Sequence, residues 1–140
     1  CPHTWLNNCG GSIGFGMPVA IGAATACPDQ KVIALEGDGS AMYTVQSLWT
    51  MARENLDITV LIFANQSYKI LQGELTNVGV TNPGKSALEM LSLKDPSLDW
   101  VSVSKGMGVD AVRVDNIEDL VKNFKHGLKE NGPFLIEVMI

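Results

Sequence analysis

Two apolar runs, separated by a helical pattern, restrict the folds that this chain can adopt. The runs cover residues 31–35 and 58–64, and each gives way at once to small polar residues. Near-continuous apolar strands are typical of parallel sheets whose two faces are covered by helices, so we expect both runs to be buried strands. Strand and helix patterns alternate over the rest of the chain. This predicts an α/β fold: a doubly wound, mainly parallel sheet with helices on both faces.

The remaining elements follow from the spacing of apolar residues and from the residues that interrupt it. Further strands are predicted at 111–114 and 134–140, and helices at 15–27, 41–54, 68–75 and 98–107. Asn116 is expected to cap one more amphipathic helix, which ends at the Asn-Gly-Pro break at 131–133. Residues 77–96 have few periodic signals and are predicted to form a long loop.

Composition limits the classes of function. The 140 residues are 46% hydrophobic, and we expect a single domain at 1–140 that is part of a longer polypeptide. The net charge of −5 and the lack of a basic run argue against nucleic-acid binding. The apolar stretch at 17–27 is too short to span a membrane. Cys1, Cys9 and Cys27 form no CxxC pair, which favours reduced thiols and a cytoplasmic protein.

A few single side chains are interpreted from their place in these patterns. Trp49 and Met51 lie in the predicted helix at 41–54 and are expected in the core. Trp5 is expected to be a packing residue. His126 falls off the apolar stripe of its helix and is expected to be solvated. Glu137 lies within the last strand and is expected to face a sheet edge or a partner domain.

Asp38 is the residue whose position is most informative. A glycine-containing loop between a strand and a helix presents N–H groups to phosphate, and Gly37 and Gly39 allow a tight turn there. A carboxylate in such a loop would repel phosphate unless a divalent cation lay between them. Mg²⁺ suits this case, because it accepts carboxylates and neutral oxygens together with phosphates. The side chain of Asn65 and the carbonyl of Ser67 could be further ligands, which predicts a magnesium diphosphate site.

The spacing of these residues resembles that of a known family. Gly-Asp-Gly at 37–39 is followed by Asn-Gln at 65–66, 27 positions after Asp38, and this resembles the thiamine-diphosphate motif. The Gly-rich run at 10–18 resembles the loop beneath that cofactor, and 132–138 resembles the closing strand. The whole chain is similar to the C-terminal, diphosphate-binding domain of acetolactate synthases and benzoylformate decarboxylase.

The resemblance implies roles for individual residues. The carbonyl of Gly11 would accept a hydrogen bond from the aminopyrimidine ring, and the bulky Ile13 would support the bent cofactor from below. The N–H of Gly39 and the hydroxyl of Ser40 would bind the diphosphate. No catalytic acid or base is implied within the chain. The metal ligands would be Asp38, Asn65 and Ser67, and the cofactor-binding residues would be Gly11, Ser12, Ile13, Gly37, Asp38, Gly39, Ser40, Asn65, Ser67 and Tyr68.

The resemblance also implies an activity and partners. Enzymes of this family use thiamine diphosphate and Mg²⁺ on 2-oxo acids, for carboligation as in acetolactate synthase or for decarboxylation as in benzoylformate decarboxylase. A pyrimidine-binding domain, in the same chain or in a partner chain, carries the glutamate that activates the cofactor. The assembly would be a homodimer or a homotetramer. No glutamate of this chain matches that one, so the isolated chain is expected to be inactive.

Two other functional classes compete on the same fold. A dinucleotide-binding domain predicts a GxGxxG loop and an acidic residue at the end of the next strand. Here the next strand ends at the neutral Asn65, so that interpretation largely fails. A non-enzymatic, metal- or phosphate-binding domain of flavodoxin-like type would explain Asp38. It would not explain Asn-Gln at 65–66 or the Gly-rich run at 10–18.

Overall fold

A four-stranded parallel sheet forms the centre of the molecule. The computed structural model describes residues 2–140, so Cys1 and its predicted thiol lie outside the described residues. The strand order is β1-β2-β4-β3, and every neighbouring pair is parallel. This confirms the predicted α/β fold with a parallel sheet. The strands are β1 (Val32–Gly37), β2 (Ile58–Ala64), β3 (Asp110–Val114) and β4 (Phe134–Met139).

Helices connect the strands. The described helices are α1 (Gly16–Ala26), α2 (Asp38–Ala41), α3 (Ser47–Arg53), α4 (Lys69–Asn77), α5 (Lys85–Met90), α6 (Trp100–Gly106) and α7 (Ile117–Gly127). None of them, within residues 2–140, has the length and apolar character that crossing a membrane requires. The predicted long loop at 77–96 is wrong in one respect, because its middle forms α5.

The predicted helix at 41–54 is wrong as a continuous element. The chain instead forms the four-residue α2, a 3₁₀ turn at Met42–Thr44 and then α3. The break lies where Tyr43 and Thr44 pack against Gly14. The packing is so close that a Cβ added to Gly14 would lie 2.8 Å from Tyr43 Cβ. The tighter 3₁₀ geometry therefore accompanies a contact between segments that are distant in sequence.

Two hydrophobic clusters cover opposite faces of the sheet. Helices α1, α3 and α6 lie over one face, where Met17, Leu48 and Trp100 are fully buried or nearly so. Helix α7 packs on the other face, against β3 and β4. Its Leu120 and Phe124 contact a cluster of strand residues, namely Leu61, Val114, Phe134, Ile136 and Val138. Helices thus cover both faces, as predicted.

Strand β1 departs from the predicted buried strand. It lies at one edge of the sheet, and its Ile33 and Leu35 are 44% and 47% exposed. The two side chains point to the face that α7 covers, but α7 packs on β3 and β4, at the opposite edge. The apolar character of β1 therefore exceeds what residues 2–140 bury.

The interpretation of Trp49 as a core residue is wrong, whereas that of Met51 is confirmed. Met51 is fully buried, but Trp49 is 53% exposed and its ring lies 5.3 Å from the guanidinium carbon of Arg53. Trp5 is also largely exposed, so it does not pack as predicted. His126 is half exposed, and it places its ring edge-on to Phe134.

Glu137 does not face a sheet edge, because β4 is an interior strand. Its side chain is 1% exposed, and its Oε2 accepts a hydrogen bond of 2.8 Å from Arg113 Nε on β3. This bond raises the pKa of Arg113 above its usual value. Arg113 also reaches Asp99, whose pKa is lowered by the hydrogen bonds that Ser102 donates to it. The buried carboxylate is thus paired across the sheet.

The predicted cap of α7 is confirmed and can be tested. Asn116 Oδ1 accepts a 2.8 Å hydrogen bond from the N–H of Asp119. Asn116→Ala should lower the free energy of unfolding by about 1 kcal/mol, because this N–H loses its acceptor. Asn116→Ser keeps an acceptor and should stay within about 0.5 kcal/mol of the wild type. Urea unfolding measures both, and equal losses would show that the cap is not responsible.

Candidate functional site

The carboxyl ends of β1 and β2 lie side by side and bring Asp38 next to the loop that follows β2. Asp38 opens α2 and is 3% exposed. Its Oδ1 accepts a hydrogen bond from the N–H of Gly39 at 2.9 Å. Its Oδ2 accepts one from the N–H of Gln66 at 2.7 Å. A single carboxylate therefore joins the two loops in which the sequence placed the metal ligands.

Asp38 has no cationic partner among residues 2–140. A buried carboxylate in proteins is normally paired with a cation or coordinates a metal ion, because desolvation of the charge is costly. Two backbone N–H groups compensate part of that cost, and each carboxylate oxygen retains a further lone pair. This donor chemistry fits a hard divalent cation such as Mg²⁺.

Asn65 and Ser67 shape the second loop. Asn65 Oδ1 accepts a 2.9 Å hydrogen bond from the N–H of Ser67, and the turn places Gln66 at a φ of 55°. The hydroxyl of Ser67 donates to the carbonyl of Leu91 and accepts from Gln72. The hydroxyl of Ser67 is thus engaged in the protein, which is consistent with the prediction that Ser67 would offer its backbone carbonyl to a metal.

Tyr68 lies over the diphosphate loop, which is the segment at residues 37–40 that the sequence predicts to bind diphosphate. The space that a Cβ would take at Gly39 is occupied by the Tyr68 ring, whose Cε1 would be 2.6 Å away. A side chain at position 39 would have to displace this ring, and the ring covers the backbone on which the sequence predicted phosphate binding. The structure thus brings together residues of both loops that the sequence predicts to form the site: Gly37, Asp38, Gly39, Ser40, Asn65, Ser67 and Tyr68.

The predicted residues of the Gly-rich run lie farther out. Gly11, Ser12 and Ile13 are exposed, with Ile13 at 55%. The side chain of Asn8 holds this loop from one end, through hydrogen bonds with both backbone groups of Ser12. In the described part of the chain, none of these three residues forms a hydrogen bond with the carboxylate of Asp38.

Gly14 connects the Gly-rich run to the diphosphate loop. Its N–H donates to Ser40 Oγ at 3.0 Å, and its carbonyl accepts from Thr44 Oγ1 at 2.9 Å. Because Ser40 Oγ acts as the acceptor, its own O–H remains available for another acceptor, such as a phosphate oxygen. The sequence placed Gly14 in a loop but missed this connection and the role of Thr44, since no local pattern links positions that lie 30 residues apart.

Two lysines lie beside the same end of the sheet. A cavity of about 460 Å³ adjoins Asn65 and Ser67, and Lys69 and Lys94 contribute to its wall. Cations here would favour an anionic ligand. Lys94 has no signal in the sequence that marks it as a site residue, and it reaches the site only because the segment at 91–93 pairs with residues 66–68. The cavity is lined by Asn65, Gln66, Ser67, Lys69, Gln72, Ser92, Lys94 and Ile140.

A comparison with known families shows to which family of proteins the chain belongs. The profile of the thiamine pyrophosphate enzymes' C-terminal TPP-binding domain matches residues 1–138, where TPP is another name for thiamine diphosphate. The chain belongs to this family. The predicted resemblance and its cofactor, thiamine diphosphate, are therefore confirmed. The family match also argues against the dinucleotide-binding and flavodoxin-like alternatives.

The relatives of this TPP-binding domain include proteins named as acetolactate synthases and proteins named as benzoylformate decarboxylases. A Mycobacterium tuberculosis protein with the provisional name acetolactate synthase large subunit IlvX is 48% identical, over 99% of this chain and 27% of its own length. Benzoylformate decarboxylase of Pseudomonas aeruginosa is 34% identical, over 98% of this chain and 25% of its own length. The chain thus spans about a quarter of the length of these curated relatives.

A solved structure has the same fold. The thiamine diphosphate-dependent 4-hydroxybenzoylformate decarboxylase of Rhodococcus jostii RHA1 superimposes with a TM-score of 0.81. The two are 35% identical, and the match covers 91% of this chain and 23% of that one. The TPP-binding domain therefore corresponds to one part of a larger solved enzyme.

The link through Gly14 leads to a stability prediction. Gly14 has a φ of 81°, and a Cβ there would lie 2.8 Å from Tyr43 Cβ and 3.2 Å from Thr44 Cγ2. Gly14→Ala should therefore lower the free energy of unfolding by on the order of 3 kcal/mol, through backbone strain together with overpacking.

Gly10 provides the matched control. It has a similar φ of 76°, but a Cβ there would meet nothing within 4 Å. Gly10→Ala should cost only about 1 kcal/mol, from strain alone. Urea unfolding of the two variants measures the difference, and equal costs would contradict the close packing of Gly14 on the 3₁₀ turn.

Proposed function

We propose that this chain is the diphosphate- and Mg²⁺-binding domain of a longer thiamine-diphosphate enzyme that acts on 2-oxo acids, with acetolactate synthase-like carboligation as its reaction. The observation that carries the proposal is Asp38. Its carboxylate is buried, lacks a cation among residues 2–140, and lies where the loops after β1 and β2 meet. The higher identity to the acetolactate synthase-like relative supports the choice of carboligation.

The metal ligands in this proposal are Asp38 and Asn65, through their side chains, and Ser67, through its backbone carbonyl. The Asn65 oxygen now accepts from the Ser67 N–H, and an amide oxygen can accept a second partner. One carboxylate with two neutral oxygens leaves room for phosphate oxygens and water around Mg²⁺. Lys69 and Lys94 would add positive charge beside them.

The cofactor-binding residues divide between two loops. Gly39 and Ser40 would donate to the diphosphate, with Gly37 giving the backbone its turn. Tyr68 covers Gly39 and would have to share this space with the diphosphate, so its ring would shift when the cofactor binds.

The Gly-rich run would hold the rings of the cofactor, through the carbonyl of Gly11, the loop at Ser12 and the side chain of Ile13. The hydrogen bonds of Gly14 to Ser40 and Thr44 would set the distance between this run and the diphosphate loop. When bound, thiamine diphosphate supplies a nucleophilic thiazolium carbon and an electron sink for 2-oxo acids. The residues of this chain would bind, orient and bend it.

A second candidate is a 2-oxo acid decarboxylase of benzoylformate decarboxylase type. The identity of 34% to the Pseudomonas aeruginosa enzyme and the TM-score of 0.81 to the Rhodococcus jostii enzyme support it. Both activities would use the same diphosphate site, because the residues proposed above would hold only the cofactor and the metal. The product formed from pyruvate distinguishes the two activities: carboligation gives acetolactate, whereas decarboxylation gives an aldehyde.

The partners follow from the same proposal. Residues 1–140 would form one domain of a cytoplasmic enzyme, together with a pyrimidine-binding domain in the same chain or in a partner, within a homodimer or homotetramer. The relatives support this, because this chain accounts for only 27% and 25% of their lengths. That domain would supply the activating glutamate.

Asp38→Asn tests the metal site. The substitution keeps the shape of the side chain and one acceptor oxygen but removes the charge, so Mg²⁺-dependent binding of thiamine diphosphate should weaken more than about tenfold. NMR titration with the cofactor and Mg²⁺ reports the binding through the amides of Gly39 and Gln66. Asp29→Asn, at an exposed turn, is the matched control. Unchanged affinity in Asp38→Asn would remove Asp38 from the ligand set.

The isolated 140-residue chain should release no measurable CO₂ from pyruvate or benzoylformate, even with thiamine diphosphate and Mg²⁺ present. The reason is that half of the cofactor cleft and the activating glutamate would come from the pyrimidine-binding domain. A coupled assay of CO₂ release measures this. Robust turnover would place the activating group within these residues and contradict the proposed division of the site.

A further inference from the structure

Every polar group of Ser67 except its backbone carbonyl has a partner among residues 2–140. Its N–H donates to Asn65 Oδ1 at 2.9 Å. Its hydroxyl donates to the carbonyl of Leu91 at 3.2 Å and accepts from Gln72 Nε2 at 2.7 Å. The backbone carbonyl accepts no hydrogen bond from these residues. Because a backbone carbonyl is a strong acceptor, this one is left for a partner from outside the described chain.

The segment at 91–93 sets the direction of this carbonyl. It pairs antiparallel with residues 66–68, through backbone hydrogen bonds of 2.9 and 3.0 Å that lie on either side of Ser67 and Ser92. In such an arrangement the two middle residues form a pair without hydrogen bonds between them, and their backbone groups point away from each other. The carbonyl of Ser67 is therefore turned away from the segment at 91–93.

Gln72 reaches Ser67 from the first turns of α4. Side chains of a helix lean toward its N-terminus, which allows Gln72 to contact a residue five positions earlier. Its amide is held in one orientation, since Oε1 accepts from Lys69 Nζ at 3.3 Å and a lysine can only donate. Nε2 therefore faces Ser67 Oγ, and the hydrogen of that hydroxyl is directed to the carbonyl of Leu91.

Helix α4 does not need this side chain in order to begin where it does. The backbone N–H groups of Leu71 and Gln72 both donate to the carbonyl of Tyr68, at 3.0 and 3.3 Å. These bonds already join the helix to the loop after β2. The loss of the side-chain amide of Gln72 should therefore loosen Ser67 and leave α4 in place.

We propose that Gln72 is a positioning residue for the metal site. It ties the hydroxyl of Ser67 to the segment at 91–93, and this keeps the backbone carbonyl of Ser67 turned outward and available to Mg²⁺. The inference rests on the proposed function, because the role of that carbonyl as a metal ligand belongs to it. The hydrogen bonds of Gln72 do not depend on it.

Gln72→Met tests the proposal on the 140-residue chain. Methionine has a similar length but cannot donate to Ser67, so the dissociation constant for Mg²⁺ at a fixed concentration of thiamine diphosphate should rise about fivefold. NMR titration with Mg²⁺ reports the binding through the amides of Gly39 and Gln66. Gln46→Met, at an exposed glutamine, is the matched control and should bind Mg²⁺ like the wild type.

Ser67→Ala separates positioning from a purely structural role. It removes the hydroxyl, retains the backbone carbonyl and should also weaken Mg²⁺ binding. Because Gln72 acts through that hydroxyl, the variant with both substitutions should bind Mg²⁺ no more weakly than Ser67→Ala alone. Losses that multiply in the double variant would overturn the proposal. An unchanged Mg²⁺ affinity in Gln72→Met, accompanied only by lower stability in urea, would also overturn it.

The wild-type titration distinguishes this inference from the proposed function. A wild-type chain whose Gly39 and Gln66 signals do not respond to Mg²⁺ and thiamine diphosphate would contradict the proposed function, and the inference with it. A wild-type chain that responds, together with a Gln72→Met variant of equal Mg²⁺ affinity, would overturn the inference alone. The proposed function would then stand without Gln72.

Discussion

The hydrogen bond from the N–H of Gln66 to the buried carboxylate of Asp38 is the contact on which the site depends. It joins the loops after β1 and β2, which are adjacent only because the two strands are parallel and in register from Val32–Ile58 to Gly37–Phe63. Each buried N–H that pairs with Asp38 avoids a desolvation cost of about 1–3 kcal/mol. The charge that remains on Asp38 is compensated only in part by these two N–H groups.

A second set of contacts extends this arrangement outward from the sheet. Ser40 follows Asp38 in α2 and accepts from Gly14, and Thr44 holds the carbonyl of Gly14 from the 3₁₀ turn. Ser40 and Thr44 are four residues apart, so they lie on the same side of the helical segment after β1 and both reach Gly14. Asp38 in the diphosphate loop is buried, whereas Ile13 is exposed and is joined to that loop through its neighbour Gly14.

The strands of the sheet differ in how well they are covered. Strand β1, at one edge, leaves the side chains of Ile33 and Leu35 about half exposed. The buried carboxylate at the other side of the sheet, Glu137, is paired with Arg113 on the neighbouring strand. Residues 2–140 therefore satisfy this buried charge internally.

The sequence by itself determined the parallel α/β fold, the family and the position of Asp38 between two strands, because each depends on local pattern or on fixed spacing. It could not determine which strand lies at the edge, so β1 was expected to be buried and Trp49 was assigned to the core. Strand order decides which strand lies at the edge, and no local signal encodes it. The pairing of Glu137 with Arg113 and the link from Gly14 to Ser40 and Thr44 likewise join positions 24 to 30 residues apart. Only the tertiary structure brings such groups within hydrogen-bonding distance, since the energy of these contacts exists only once the sheet and its helices have packed.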